Sequence, residues 1–228
     1  MTTLVTALFA EGRSDERFLP RIIQRTAADL LGQHSQRVVD VLEPTLLRPD
    51  ESESRTDSIL SVARKAAGYH ILFVHADADA PTRHRAYAER IEPGLREIAR
   101  VREQERVCSD LVPVIPIQAV EAWLLADGEA LREVIGSDLS LHDLGIPPSV
   151  TRIEGLANPK QTLQEIVSRA LANKPRRRRH LNLGELYEPL ANQVSLSRLA
   201  QLTAFSHFTD DLTKTLASLG FYAPAVAA

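Results

Sequence analysis

Carboxylates recur where the apolar runs of this chain end. Thr3–Gly12, TLVTALFAEG, passes through apolar and β-branched residues and stops at Glu11-Gly12, and His70–Asp79, HILFVHADAD, stops at Asp77-Ala78-Asp79. A third run, Leu111–Gln118, is followed by Glu121. In an extended segment residues two apart point to the same side, so Asp77 and Asp79 can address one site while Ala76 and Ala78 stay clear of it. If the strand ending near Glu11 lies beside the strand ending near Asp77, three carboxylates gather at the carboxyl edge of one sheet, where open α/β sheets bind their ligands. Crowded carboxylates repel unless a cation neutralises them, and an all-oxygen set suits Mg²⁺ or Mn²⁺ rather than zinc. The chemistry to expect is metal-assisted phosphoryl transfer. It needs acids to hold one or two cations, open coordination for water and phosphate, and an acceptor for the water proton. Any one of these acids, taken singly, is better explained as a helix cap or a solvated loop residue; four at successive strand ends are harder to dismiss that way. Asp15 lies one helical turn beyond Glu11, where it could face the same cavity or simply suit the helix dipole.

The elements that must position these groups follow from the pattern. Thr3–Ala10 reads as a buried first strand, turning out at Gly12, with Ser14 as N-cap of a helix that runs to Gly32 and is bent by Pro20. Arg37–Leu42 is a shorter strand leading into a polar loop, Pro44–Ser58. A helix over Ile59–Ala67 stops at Gly68 and delivers the chain to His70–His75. Pro81 can open a long charged helix through Arg106, broken at Pro93-Gly94. Leu111–Gln118 has strand composition, but Pro113 and Pro116 remove ladder donors and suit an edge. A short apolar helix, AVEAWLLAD, follows from Ala119. The alternation predicts an α/β fold with a mostly parallel sheet flanked by helices over residues 1–127. From Gly128 on, helical spacing takes over, in Lys160–Ala172, Leu183–Asn192, Ser197–Leu202 and Ser206–Leu219. Residues 128–228 are expected to form a smaller helical subdomain packed on the first part.

Composition narrows the function classes. No apolar run is long enough to span a membrane and no export signal opens the chain, so a cytoplasmic location is expected. The lone Cys108 rules out an internal disulfide and a multi-cysteine zinc knuckle, and reads as a packed small side chain. A net charge of −3 carries no global signal for nucleic acid, but KPRRRRH at Lys174–His180 does so locally. Lys174, Arg176, Arg177, Arg178 and Arg179 offer many donors to phosphates, or form a solvated loop between helices. His70, His75 and His84 flank the acidic loop and read as packing residues, as does Trp123. No glycine-lysine phosphate loop is present, so any ATP-driven step would come from a partner.

Glu-Gly after a first apolar strand, followed by a second strand ending in Asp-x-Asp, resembles the Toprim domain of topoisomerases, primases and the overcoming-lysogenization-defect nucleases. The wording FAEGRSDERFLPRII, ILFVHADAD and VPVIPIQAVEAWLLAD resembles more closely a bacterial family of small Toprim-like proteins of unassigned function. Its members are often encoded beside AAA or SMC-like ATPases in phage-defence loci. The resemblance covers Thr3–Asp127, and more faintly Asn158–Lys160 and FSHFTDDL. It implies a Toprim-like sheet and a Mg²⁺- or Mn²⁺-dependent nuclease. Glu11 would be general base or metal ligand, Asp77 and Asp79 metal ligands, and Glu121 a further ligand or supporting acid. Asp15 stands at the spacing of an acid that helps bind a second metal in the overcoming-lysogenization-defect nucleases. Lys160 is the candidate for their lysine near the scissile phosphate, though it also reads as an ordinary helix-start lysine. The implied partners are nucleic acid, DNA ahead of RNA, and an ATPase, with homo-oligomerisation left open. The competing readings are a Toprim-shaped module that binds nucleic acid or the ATPase without cutting, and a phosphoacceptor receiver domain, which AEGRSD and HADAD fit less well. The two prolines before Glu121 depart from the simple Toprim pattern.

Overall fold

The computed structural model describes residues 2–51, 54–172 and 182–222, and in it the chain is an α/β protein with parallel sheets flanked by helices. It divides into two compact units that interleave along the sequence. One comprises Met1–Ala76, His84–Ile115 and His207–Ala228, the other Asp77–Arg83 and Pro116–Ser206.

The first unit holds the sheets. The expected first strand is two strands, β1 (Thr2–Leu4) and β2 (Thr6–Phe9), in different sheets. The break falls at Val5, whose carbonyl accepts from the His70 backbone N–H at 2.9 Å and whose own N–H donates to His70 Nδ1 at 3.1 Å. β1 pairs in parallel with β3 (Val39–Val41), which is therefore not part of the main sheet. The main sheet is all parallel, in the order β4 (Thr45–Leu46), β2, β5 (Ile71–His75), β6 (Leu111–Val114). β4 lies inside the stretch expected to be loop. Two residues with no apolar alternation leave no readable period. β2 and β5 are inner strands, buried throughout, which is why TALF and ILFVH read as continuous rather than alternating apolar runs. β6 takes an edge, where a strand containing Pro113 loses no ladder bond it needs.

Helix α1 (Asp15–His34) packs on β3 and β4, and runs past Gly32 to a cap at Ser35. Ser14 makes no side-chain cap bond; the Asp15 carboxylate instead accepts from the Gly12 N–H. Helix α2 (Arg55–Lys65) is opened by Ser54, whose hydroxyl accepts from Asp57 N–H and donates to the Asp57 carboxylate. The expected long helix after Pro81 starts only at His84 (α3, His84–Ala86), widens into a π-turn over Tyr87–Ile91, and resumes as α4 (Glu92–Val101). The disruption falls just before Pro93, whose missing N–H leaves a carbonyl of the preceding turn without its helical donor. Gly94 lets α4 close on α2: a Cβ there would sit 2.7–2.8 Å from three atoms of Ile59. Phe73 of β5 meets Phe208 edge-on at 6.1 Å.

The second unit is helical apart from its leading strip. It contains α5 (Glu121–Leu124), α6 (Gly128–Ile135), α7 (Leu141–Leu144), α8 (Val150–Ile153), α9 (Pro159–Leu171), a 3₁₀ turn Leu183–Glu185, α10 (Tyr187–Gln193), α11 (Leu196–Leu199) and the first residues of α12 (Thr203–Ser218). Trp123 is fully buried and meets Phe205 edge-on at 5.1 Å. Asp127 caps α6 through Ala130 N–H at 3.2 Å, and its other oxygen accepts from Ser195 N–H at 3.1 Å, tying α6 to the start of α11. Among the described residues no helix is long and apolar enough to cross a membrane.

Candidate functional site

β2 and β5 run side by side with Phe9 in register with Val74, so their carboxyl ends are neighbours in the first unit. Glu11 follows β2 by two residues. Its Oε1 is met by two guanidiniums: Arg90 Nη2 donates to it, and Arg55 Nη2 lies 3.8 Å away. Arg90 comes from the π-turn and Arg55 from the first turn of α2. The Glu11 side chain is 22% exposed and those of Arg55 and Arg90 are 24% and 31% exposed, so the trio is half-buried rather than deeply desolvated. Arg55 is also fixed by its own surroundings. It donates to the His75 carbonyl at the end of β5, and its Cζ stands 4.3 Å from the centroid of the Phe9 ring at the end of β2. Burial pushes the Arg55 guanidinium below its ordinary value, Glu11 opposing that shift and Arg90 adding to it.

Asp15 sits beside Glu11 in sequence but in a different environment. It is buried, its Oδ2 accepts from Gly12 N–H at 3.0 Å, and the same oxygen lies 3.5 Å from Nδ1 of the fully buried His75. Asp15 thus serves the turn after β2 and the end of β5 at once.

The other predicted acids belong to the second unit. Asp77 is half-buried and its Oδ1 accepts from Val120 N–H at 3.0 Å. Asp79 is exposed, with a left-handed backbone, φ 48°. Its N–H donates to the carbonyl of Gln118, which is itself left-handed at φ 61°. A left-handed L-residue costs roughly 1–2 kcal/mol, tolerated by Asp more readily than by Gln. Glu121 is buried at the start of α5, and its Oε1 accepts the Tyr187 hydroxyl at 2.7 Å. Lys160 is exposed in the first turn of α9, behind Pro159. A cavity of about 350 Å³ in this unit, lined by Asp127, Ile146, Pro148, Thr151 and Arg198 among others, includes none of these residues. The basic block Lys174–His180 lies outside the described residues.

Among the described residues, no three His, Cys, Asp or Glu side chains are gathered so as to hold a metal ion. In chemical type, the carboxylates of Glu11 and Asp15 in the first unit, and those of Asp77 and Asp79 in the second, each suit a hard cation. The sequence reading missed Arg55, Arg90, Gln118 and Tyr187. Arg90 approaches Glu11 across 79 positions and Tyr187 approaches Glu121 across 66, separations with no local signature. Only the π-turn had a trace in sequence, in Pro93.

No curated protein and no solved structure matches the chain. The model of a domain of unknown function, DUF4276, matches residues 10–213, a span that takes in every acid named above together with Arg55 and Arg90, and the chain belongs to that family.

Proposed function

We propose that the protein is a divalent-metal-dependent nuclease of Toprim type, hydrolysing phosphodiester bonds of nucleic acid, DNA ahead of RNA. The observation that carries the reading is the order of acids on neighbouring parallel strands. Glu11 stands two residues past β2, and Asp77 and Asp79 stand two and four residues past β5, the strand paired with it in register. Carboxyl ends of adjacent inner strands are where α/β sheets assemble ligand sites. Glu11 would accept the proton of the attacking water. By the Toprim-like resemblance, Asp77 and Asp79 would be ligands of Mg²⁺ or Mn²⁺, and Asp15 stands at the spacing of an acid for a second metal. A bound cation would draw charge off the phosphoryl oxygens. Glu121, held by Tyr187, supports α5 behind Asp77, whose oxygen is bonded to Val120 of the same segment. An AAA or SMC-like ATPase as partner, and a role in phage defence, belong to the same proposal and rest on the Toprim-like resemblance.

A second reading, a module that binds nucleic acid or the ATPase without cutting, is favoured by one observation: Arg55 and Arg90 already neutralise Glu11. Cleavage assays on supercoiled plasmid, single-stranded DNA and RNA, with Mg²⁺, Mn²⁺ or EDTA, separate the two. The nuclease reading expects metal-dependent cutting that is lost in Asp77→Asn/Asp79→Asn and in Glu11→Gln. Binding without cutting under every metal, alone and with the ATPase, would establish the second.

A further inference from the structure

We infer that Arg55 and Arg90 form a phosphate cradle, in which Glu11 occupies the anion position until a phosphodiester of the substrate takes both guanidiniums. The inference rests on the nucleic-acid substrate proposed above and gives two residues outside the acid set a role in holding it.

Three observations support it, all within the first unit. Two guanidiniums converge on a single carboxylate oxygen, Glu11 Oε1, which is the arrangement a phosphate oxygen requires of a two-arginine site. Second, Arg55 is preorganised. The Phe9 ring below and the His75 carbonyl beside it hold its head at the ends of the two inner strands, so little rotamer entropy remains to be lost on binding. Its Nε is buried and has no hydrogen-bond partner, so a donor is left unspent in this arrangement. Third, Arg90 is carried by a π-turn, a single widened turn of helix between α3 and α4 of a kind frequent at functional sites. Arg55 is thus the fixed half of the cradle and Arg90 the adjustable half. When Arg90 moves from Glu11 to a phosphate, Glu11 is released to accept a proton or a cation. Substrate arrival and activation of Glu11 become one event.

The test is equilibrium binding, by fluorescence anisotropy in EDTA, of a fluorescein-labelled 20-nucleotide single-stranded DNA across KCl concentrations. Arg90→Ala is expected to weaken binding about tenfold to a hundredfold, the loss of a charged hydrogen-bonded contact. It should also lower the salt slope by about 0.7, the value for one phosphate contact to a single strand. Arg90→Lys should keep the slope and lose part of the affinity, because an ammonium cannot supply the planar fork. Glu11→Gln, which removes the competing carboxylate, should tighten binding, and that gain should shrink in the Arg90→Ala background. Arg96→Ala, on the same helical stretch but paired with Glu92, serves as the control for general charge. Circular dichroism of each variant verifies folding. Arg90→Ala binding like wild type with an unchanged slope, a loss no greater than that of Arg96→Ala, or a wild-type protein that binds no DNA, would each overturn the inference. Cleavage in Mg²⁺ or Mn²⁺ is scored separately on the same proteins. Cutting with Arg90-independent binding refutes the cradle and leaves the nuclease; Arg90-dependent binding without cutting does the reverse.

Discussion

Tyr187→Phe removes one oxygen from the interior and nothing else. In the wild-type protein that hydroxyl donates to Glu121 Oε1 at 2.7 Å, with Tyr187 2% and Glu121 4% exposed, so water has no route to replace it. The variant leaves a buried carboxylate oxygen without the donor it had, a loss of roughly 1–3 kcal/mol. For a chain of this size each kcal/mol lowers the melting midpoint by about 2–4 °C, which gives a drop of about 2–12 °C. Trp123, the sole tryptophan, lies buried two residues from Glu121, so urea unfolding followed by its emission reads the affected region directly. Glu121→Gln retains an acceptor for the tyrosine and should cost less. Glu121→Gln/Tyr187→Phe should cost measurably less than the two singles summed, because the contact can be lost only once. A Tyr187→Phe midpoint within about 0.5 kcal/mol of wild type, or strict additivity in the cycle, would refute the placement of Glu121 as a buried structural acid. It would return Glu121 to the set of groups available to a cation.

Three further outcomes follow from contacts on either side of the fold. Gly94→Ala should destabilise despite alanine's better helix propensity, since its Cβ would lie 2.7–2.8 Å from Ile59 and overpacking of that kind costs about 1–3 kcal/mol against a gain of about 1; thermal melts measure the net. Asp127→Ala should lose roughly 1–3 kcal/mol in urea unfolding, because one side chain caps α6 through Ala130 and also anchors Ser195. Burial pushes the Cys108 thiol up to about 11, so the folded protein holds a proton that the unfolded chain releases at about 8.5. The resulting stability is present below the unfolded value and is lost as pH rises from about 9 to about 11, a decline that should be shallower in Cys108→Ala when midpoints are compared across that range.

What could be read in the sequence was what a short window contains. The inner strand β5 was legible because ILFVH is buried on both faces and ends abruptly at polar residues, and β6 was legible as an edge because proline cannot donate in a ladder. β1 and β2 could not be told apart, because the separating event is a hydrogen-bonded contact between Val5 and His70, 65 positions away. The same limit governs the candidate site. Glu11 and the Asp77/Asp79 pair stood out in the sequence because a carboxylate at the end of an apolar run is visible locally. The row of acids implied a cation, and for Glu11 the structure supplies one in the form of Arg55 and Arg90, delivered by a helix start and by a π-turn 79 positions on. A count of acids therefore overstates how much metal a site demands whenever arginines from elsewhere share the load. The quantity that governs cation affinity at Glu11 is the difference between a metal's interaction with that carboxylate and the interaction of two guanidiniums already in place. If the protein is the metal-dependent nuclease proposed above, a phosphate that draws those guanidiniums away would tip this difference toward the metal, and metal and nucleic acid should bind with positive cooperativity, each raising the affinity for the other by the same factor. Titrating Mn²⁺ into Asp77→Asn/Asp79→Asn, with and without the DNA strand, leaves Glu11 and Asp15 as the carboxylates whose response is read. Equal Mn²⁺ affinity in both conditions would sink that account.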